Sequence, residues 1–449
     1  MTSNKNKNKD LTSGSISKHM ARLAVPSIGG MLAITIFNIT DTYFVSKLGV
    51  VHLAAMGFTF PVVMIIGSIS SGIAIGAGSL LARAMGRKDY HLMHRIATDG
   101  ILLAIVTVMI FAVAGILTMK PVFTLLGADS VTLPLIMDYM LVWYLGIGVV
   151  LMPPVSDSCM RGMGDMIRPS LVMITCAVLN VILDPIFIFG KLGVPAMGIQ
   201  GAAIATVISR FAGMLVSLGF VHFKYKLLDF RYKSYKELFE SWWNILAIGI
   251  PSAIVRVLPQ TVRALITSRA AAVGGLYAVA AVAAGGKIES FATVISMAVG
   301  VSLVPMIGQN WGANRLDRVH KIRHLTNRIA LYYGVVLFGL SLVFSDNLAH
   351  IFNDNIEVVK YIQIYLGVVT LASMGLNTYN WTSEMLNAAG KPKWSLNINL
   401  LGTLVVLIPL IILGSLIAGF IGMLIGLGIG QILVGIYARQ IGKRQLSQY

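Results

Sequence analysis

Twelve long apolar runs follow one another along this chain, each with enough residues to cross about 30 Å of hydrocarbon at about 1.5 Å per residue. Their approximate bounds are 21–47, 53–83, 95–119, 131–156, 168–190, 196–222, 242–271, 276–304, 323–345, 357–383, 394–415 and 418–438. In a bilayer such runs can satisfy their backbone only as helices or as a closed barrel. Unbroken runs, rather than alternating strands of about ten residues, select helices. Only 12% of the residues are charged, against about 25% in soluble domains. The expected fold is an all-α integral membrane protein.

The net charge of +17 would suggest nucleic acid for a soluble chain. Here the Lys and Arg residues fall in alternate loops and at both ends, so membrane topology accounts for them and no nucleic-acid partner is expected. Lys5, Lys7, Lys9 and Lys18 mark one end, and Arg439, Lys443 and Arg444 the other. The central loop adds Lys224, Lys226, Arg231, Lys233 and Lys236. The positive-inside rule places both termini in the cytoplasm. Residues 1–20 are polar and lack the apolar core of a signal peptide, and they read as a disordered cytoplasmic tail. Residues 439–449 form a second cytoplasmic tail.

The chain repeats itself. Gly86 with His94-Arg95 returns 226 residues later as Gly312 with His320-Lys321. The same offset takes Ala54-Ala55 to Ala280-Ala281 and Gly164 to Gly390. Pro26-Ser27 and Gly49 return 225 residues on, as Pro251-Ser252 and Gly274. The expected organisation is an N-terminal six-helix lobe, 21–222, a basic cytoplasmic linker, 223–241, and a C-terminal six-helix lobe, 242–438. An even number of helices per half keeps the halves in one orientation, a parallel repeat with a central cavity.

Charges inside the apolar runs are the candidate site. An ionised Asp there costs about 2.5–3.5 kcal/mol on insertion scales and is usually paired, protonated or facing water. Asp41 lies about 10 Å from the outer end of its segment, Asp184 about 9 Å, and Tyr139 about 12 Å into its own. Thr206 is somewhat deeper. Asn38 precedes Asp41 by three residues, and Asn180 precedes Asp184 by four, so each pair shares a helical face. Pro185 cannot donate to the carbonyl of Val181, which frees an acceptor beside Asp184. Two buried carboxylates repel, so such a pair can hold a proton and release it when water or a cation arrives. The same oxygens suit sodium, with Asp41, Asn180, Asp184 and Thr206 as its ligands. A purely structural hydrogen-bond cluster remains the alternative.

The second half does not copy these acids. The positions matching Asp41 and Asp184 fall near Ile266 and Leu410. It offers Arg256, Gln260 and Arg263 on one face at i, i+4 and i+7, and Glu289 with Lys287. Glu289 is expected to pair with those arginines in a mainly structural role. Asp157 and Glu384 lie near helix ends where water is expected to reach them. Cys159 and Cys176 are the only cysteines and read as packing residues. No Walker motif, HExxH or paired CxxC is present, so no cofactor, metal centre or enzymatic activity is expected.

With these features the sequence resembles the multidrug and toxic compound extrusion (MATE) family of secondary transporters. The resemblance covers nearly all of the chain beyond the tail. Its residues are Pro26 and Asp41, the stretches Ala82–Asp89, Met160–Asp165 and Asn180–Pro185, and in the second half Lys287–Ala292 and Gly308-Gln309-Asn310-Trp311-Gly312-Ala313. The pattern is most similar to the prokaryotic branch typified by DNA-damage-inducible transporters. That resemblance implies that Asp41 and Asp184 carry the coupling ion, supported by Asn180 and Thr206 with Tyr139 beside them. It also implies a monomer in a prokaryotic inner membrane, in contact with lipid, that exports amphipathic, often cationic drugs or metabolites in exchange for H+ or Na+. Asp157 stands where the family often has Asn. Two other readings stay open. A lipid-linked oligosaccharide flippase of related two-lobe form would use Arg256 and Arg263 for pyrophosphate. A membrane-embedded prenyltransferase would need an Asp-rich Mg2+ site, and no DDxxD pattern is present.

Overall fold

The computed structural model describes residues 10–230 and 235–447. Lys5, Lys7 and Lys9 of the first tail, Arg231 and Lys233 of the linker, and the last two residues lie outside them. All regular structure among the described residues is helical. Helices α1 (Ile16–Ser46), α2 (Val50–Arg87), α3 (Tyr90–Leu125), α4 (Thr132–Leu145), α5 (Ile147–Gly162), α6 (Ile167–Phe189) and α7 (Gly198–Gly219) are followed by α8 (Tyr235–Gly312). Then come α9 (Leu316–His350), α10 (Ile356–Ala388), α11 (Pro392–Leu401) and α12 (Ile408–Gln445), the last two joined through a wider π-helical turn at Gly402–Leu407.

Helix length and backbone breaks turn these elements into twelve crossings. At 78 residues, α8 would run about 117 Å if straight, far more than one bilayer. It is broken at Gly275, where φ is 60° and ψ −151°, a conformation open to glycine. α12 breaks likewise at Gly419, with φ 59° and ψ −137°. α4 and α5 form one span bent by 47° at Gly146. Asp129 anchors the turn before α4, accepting from the Thr132 N–H at 2.8 Å and its hydroxyl at 2.7 Å. Those bonds hold its exposed carboxyl below the usual carboxylate range.

The 226-residue repeat is written in the backbone as well. Left-handed residues Gly49, Lys88, Gly164 and Gly193 recur at Gly275, Asn314, Gly390 and Gly419. The helix-ending hydrogen bonds recur with them. Asp89 N–H donates to the Ala84 carbonyl and Arg315 N–H to that of Asn310, while Asp165 N–H donates to Met160 and Lys391 N–H to Leu386. Each is a six-to-one closure that satisfies a carbonyl left over at a helix end.

Two compact units emerge, and they divide differently from the expected lobes. Among the described residues, the first holds 25–230 and 235–253, and the second 10–24 with 254–447. The start of α8 therefore packs with the first unit. Gly76 lets it in: a methyl there would lie 2.3 Å from the Ile245 carbonyl oxygen. The described part of the linker is tied down too. Asp229 N–H donates to Thr98 Oγ1 at 2.9 Å, Trp242 to the Asp99 carbonyl at 2.9 Å, and Arg95 pairs with Glu237. Arg168 and Tyr225 both donate to Asp165, and Arg168 to Tyr225 at 2.8 Å.

The first unit has two apolar clusters, one around Ala77, Ile96, Met160 and Ile245, the other around Ile136, Trp143, Leu151 and Ile188. Close helix approach depends on small residues, since lipid offers no hydrophobic drive to pair helices. A methyl on Gly201 of α7 would stand 2.4 Å from the Phe187 carbonyl oxygen of α6. Gly201→Ala is therefore expected to cost about 1–3 kcal/mol. The measurement is thermal melting in detergent, and an unchanged midpoint would show that α6 and α7 part freely.

Residues 10–20 are not the disordered tail expected of them. Leu11 is buried, its N–H donating to Gln309 Oε1 at 3.1 Å and its carbonyl accepting from Asn310 Nδ2 at 3.1 Å. Arg318 donates to the carbonyls of Gly14 at 2.9 Å, Leu11 at 3.2 Å and Ser13 at 3.3 Å. α1 then begins at Ile16. The Gly308–Ala313 stretch thus serves to hold the irregular segment before α1. Charge-assisted bonds contribute about 1.5–3 kcal/mol each, so Arg318→Ala should speed amide exchange at Leu11 by about tenfold. Unchanged exchange would assign the anchoring to Leu11 burial alone.

Candidate functional site

In the first unit α1 buries Phe37, Asp41 and Val45 at four-residue spacing. Asp41 is thereby turned inward. Asn38 and Thr42, each about 100° further round the helix, are exposed. The Thr42 hydroxyl donates to the Asn38 carbonyl at 2.8 Å rather than to Asp41. Of the polar residues expected on this face of α1, Asp41 alone is buried, and Asn38 and Thr42 lie on its exposed side.

α6 supplies Asn180 and Asp184, both 0% exposed. Asn180 Nδ2 donates to Asp184 Oδ1 at 2.9 Å and reaches Thr206 Oγ1 of α7 at 3.5 Å. Tyr139 of α4 and Thr206 are buried beside them. Asp41 interacts electrostatically with Asp184, and Tyr139 with both. The structure thus brings Asp41, Tyr139, Asn180, Asp184 and Thr206 into one neighbourhood from four helices.

A further member was not picked out from the sequence. Arg210, one turn beyond Thr206 on α7, places its guanidinium 5.4 Å from the centre of the Phe37 ring and interacts with Asp41, Tyr139 and Cys176. The signal was available, since Arg210 interrupts an apolar run as plainly as Asp41 does. It is a fixed cation beside Asp41, with a cation–π contact to Phe37 as well.

The decisive feature is what this cluster leaves unsatisfied. Asp41 Oδ1, Asn180 Oδ1 and Asp184 Oδ2 are buried acceptors with no hydrogen-bond partner. Buried carboxylate and amide oxygens are normally satisfied. Three orphan acceptors in one polar nest suit a proton or a small hard cation, which prefers oxygen ligands. With Asp41, Asn180, Asp184 and Thr206 the donor set fits sodium as well as a proton. No cluster of three or more His, Cys, Asp or Glu with metal-holding geometry occurs among the described residues.

Three other acids differ from expectation. Asp157 is not a wetted helix end: it is 5% exposed and accepts from Ser217 Oγ at 2.7 Å, which in turn meets Ser156 Oγ at 2.8 Å. In the second unit Glu289 accepts from the Tyr365 hydroxyl at 2.7 Å rather than from an arginine. It is Glu384, expected at a free helix end, that pairs with Arg256 at 3.6 Å. Helical periodicity fixes which residues share a face and leaves open which helix that face meets. Gln260 and Arg263 are exposed.

Comparison with known proteins agrees with this architecture. The family model described as MatE matches twice, over residues 26–186 and 251–413, one match for each half of the repeat. A protein of Shewanella oneidensis named FAD transporter is 32% identical over 97% of this chain and 96% of its own length. The multidrug export protein MepA of Staphylococcus haemolyticus is 26% identical over 90% of this chain and 88% of its own. The crystal structure of the Vibrio cholerae MATE transporter VcmN in the bent form superposes with a TM-score of 0.89 at 28% identity, covering 96% of this chain and 97% of that one. The curated relatives are transporters, not enzymes.

Proposed function

Because the chain belongs to the MatE family, the multidrug and toxic compound extrusion transporters of the membrane, we propose that it is an ion-coupled efflux antiporter. It exports amphipathic small molecules in exchange for H+ or Na+ by alternating access. The coupling ion binds in the first unit, on Asp41 and Asp184, with Asn180 and Thr206 as supporting ligands. The observation that carries this reading is the set of orphan acceptors, Asp41 Oδ1, Asn180 Oδ1 and Asp184 Oδ2. Occupation by an ion satisfies them, and loss of the ion leaves them costly to bury. That difference is the free energy by which an ion biases one conformation over another. The protein works in a prokaryotic cell membrane, and the placement of its basic loops supports a cytoplasmic position for both termini.

The names of the relatives bracket the cargo between drugs and a flavin dinucleotide. The test is export from proteoliposomes preloaded with ethidium or flavin adenine dinucleotide under separately imposed pH and sodium gradients. One gradient should drive export of at least one cargo, and dissipating it should stop the flux. Equal flux with and without any gradient would refute ion coupling.

A further inference from the structure

Basic side chains gather where α9 begins and α12 ends, both in the second unit. On α9, His320, His324 and Arg328 recur at four-residue spacing and so share one face, with Arg323 beside them. Arg323 is only 5% exposed, and its Nε is a buried donor with no partner. Its Nη2 lies 3.3 Å from His324 Nε2. Arg439 of α12 interacts electrostatically with both Arg323 and His324, and His324 also with His320 and Arg328. Ser447 Oγ stands 3.4 Å from His320 Nδ1. With Gln440, Lys443 and Arg444, Ser447 lines a cleft of about 410 Å³.

The first unit shows what such a place needs. The 226-residue offset pairs Arg95 with Lys321 and Asp99 with Leu325. Arg95 has two acids, Asp99 at 3.7 Å and Glu237. In the second unit the offset sets Arg323 and His324 where the first has Ala97 and Thr98, and the acid is gone. Among the described residues no carboxylate pairs within 4 Å with Arg323, Arg328, Arg439, Lys443 or Arg444. Like charges held together repel, and a buried guanidinium with an unused donor adds its own cost. An anion from outside the chain relieves both. Arg323 opens the apolar run 323–345 and Arg439 follows the run 418–438, so the cluster lies at the edge of the hydrocarbon, at the level of lipid headgroups. The same helix faces continue as apolar surface: Leu331, three residues after Arg328, and Ile436, three before Arg439, are each 50% exposed. Forked guanidinium groups match phosphate oxygens, and apolar surface running away from them matches an amphiphile rather than a soluble anion.

We propose that Arg323 and Arg439, with His324 beside them and Lys443 and Arg444 beyond, bind the phosphate headgroup of an anionic membrane lipid, whose acyl chains lie along the apolar faces of α9 and α12. By the placement of the basic loops this is the leaflet facing the cytoplasm, where anionic headgroups and basic helix ends attract one another. The site uses no residue of the ion site. A bound headgroup replaces the repulsion between the two arginines with a shared counter-charge, so the lipid stabilises the second unit as any ligand of the folded state does.

The experiment titrates the purified full-length protein in neutral detergent with short-chain phosphatidylglycerol, short-chain phosphatidylcholine and inorganic phosphate, followed by calorimetry and by melting temperature. Phosphatidylglycerol should bind the wild type and raise its melting temperature. Arg323→Gln and Arg439→Gln should each weaken that binding by about tenfold, the loss of one charge-assisted contact. Arg315→Gln removes a cation that is exposed beside Asp317, outside the cluster. It should change the affinity by less than about twofold, which separates a site from the general attraction of a basic protein for anionic lipid. Melting without lipid establishes that each variant is folded, and if Arg323→Gln is not, Arg439→Gln, at an exposed position, decides alone. Phosphatidylglycerol binding that is absent, or indifferent to both substitutions, overturns the proposal. So does equal binding of phosphatidylcholine, whose headgroup has no net charge. Inorganic phosphate binding as tightly as the lipid, with the same dependence on the arginines, also overturns it and makes this a site for a soluble anion.

Discussion

Asp41→Asn is expected to insert and melt like the wild type while losing at least about tenfold in gradient-driven export, equivalent to about 1.4 kcal/mol or more of lost coupling. The side chain keeps its shape, and its Oδ1 remains an acceptor in the same buried position. What disappears is the charge that lets the nest alternate between holding and releasing an ion. Asp184→Asn should behave alike for transport but cost more stability. Asp184 is fully buried and accepts the 2.9 Å bond from Asn180, so an amide that keeps this acceptor must bury its NH2 at the Oδ2 position, where Asp184 has no hydrogen-bond partner. Export at the wild-type rate in Asp41→Asn would remove Asp41 from the coupling mechanism.

The second large effect belongs to Arg210. Its guanidinium is the cation that interacts with Asp41, and it stands over Phe37. Removing it as Arg210→Met leaves Asp41 and Asp184 as two like charges in one buried neighbourhood, with Tyr139 and Cys176 the other groups that face it. Breaking a buried charge arrangement from one side costs about 3–5 kcal/mol. Arg210 is partly buried rather than fully so, which brings this to about 1–3 kcal/mol. The loss has a sign in pH. Ionised carboxylates repel and neutral ones do not, so Arg210→Met should melt well below the wild type at pH 8 and approach it at pH 5. The double variant with Asp41→Asn should recover much of the loss at pH 8, the signature of a coupled pair. Equal destabilisation at both pH values would make Arg210 a packing residue.

The parts of this molecule that were legible in its sequence are those whose physics is local or periodic. Apolar length marks the crossings. Gly275 and Gly419 break helices that would otherwise be far too long, and the backbone pairs Gly49 with Gly275 where the residue pattern alone suggests Gly274. Asn180 and Asp184 announce each other at i and i+4. What was not legible depends on which helix faces which. Asn38 shares a face with Asp41 by spacing, but the buried stripe of α1 runs through Phe37 and Val45 instead. Arg210 gains its meaning from α1 across from it. Arg256 and Glu384 find each other across 128 residues, and Glu289 finds a tyrosine. The segment holding Leu11 looks unfolded in isolation, because Gln309, Asn310 and Arg318, which satisfy its backbone, are about 300 residues away.

The central claim is that the carboxylates of the first unit are the ion carriers. Infrared difference spectra between pH 5 and pH 8, recorded with and without sodium in wild type, Asp41→Asn and Asp184→Asn, report the protonated carboxyl directly. The account predicts a carboxyl band in the wild type that appears at low pH or responds to sodium, and that is lost or halved in each variant. A wild-type band that persists unchanged in both variants would place the titrating group elsewhere and contradict it.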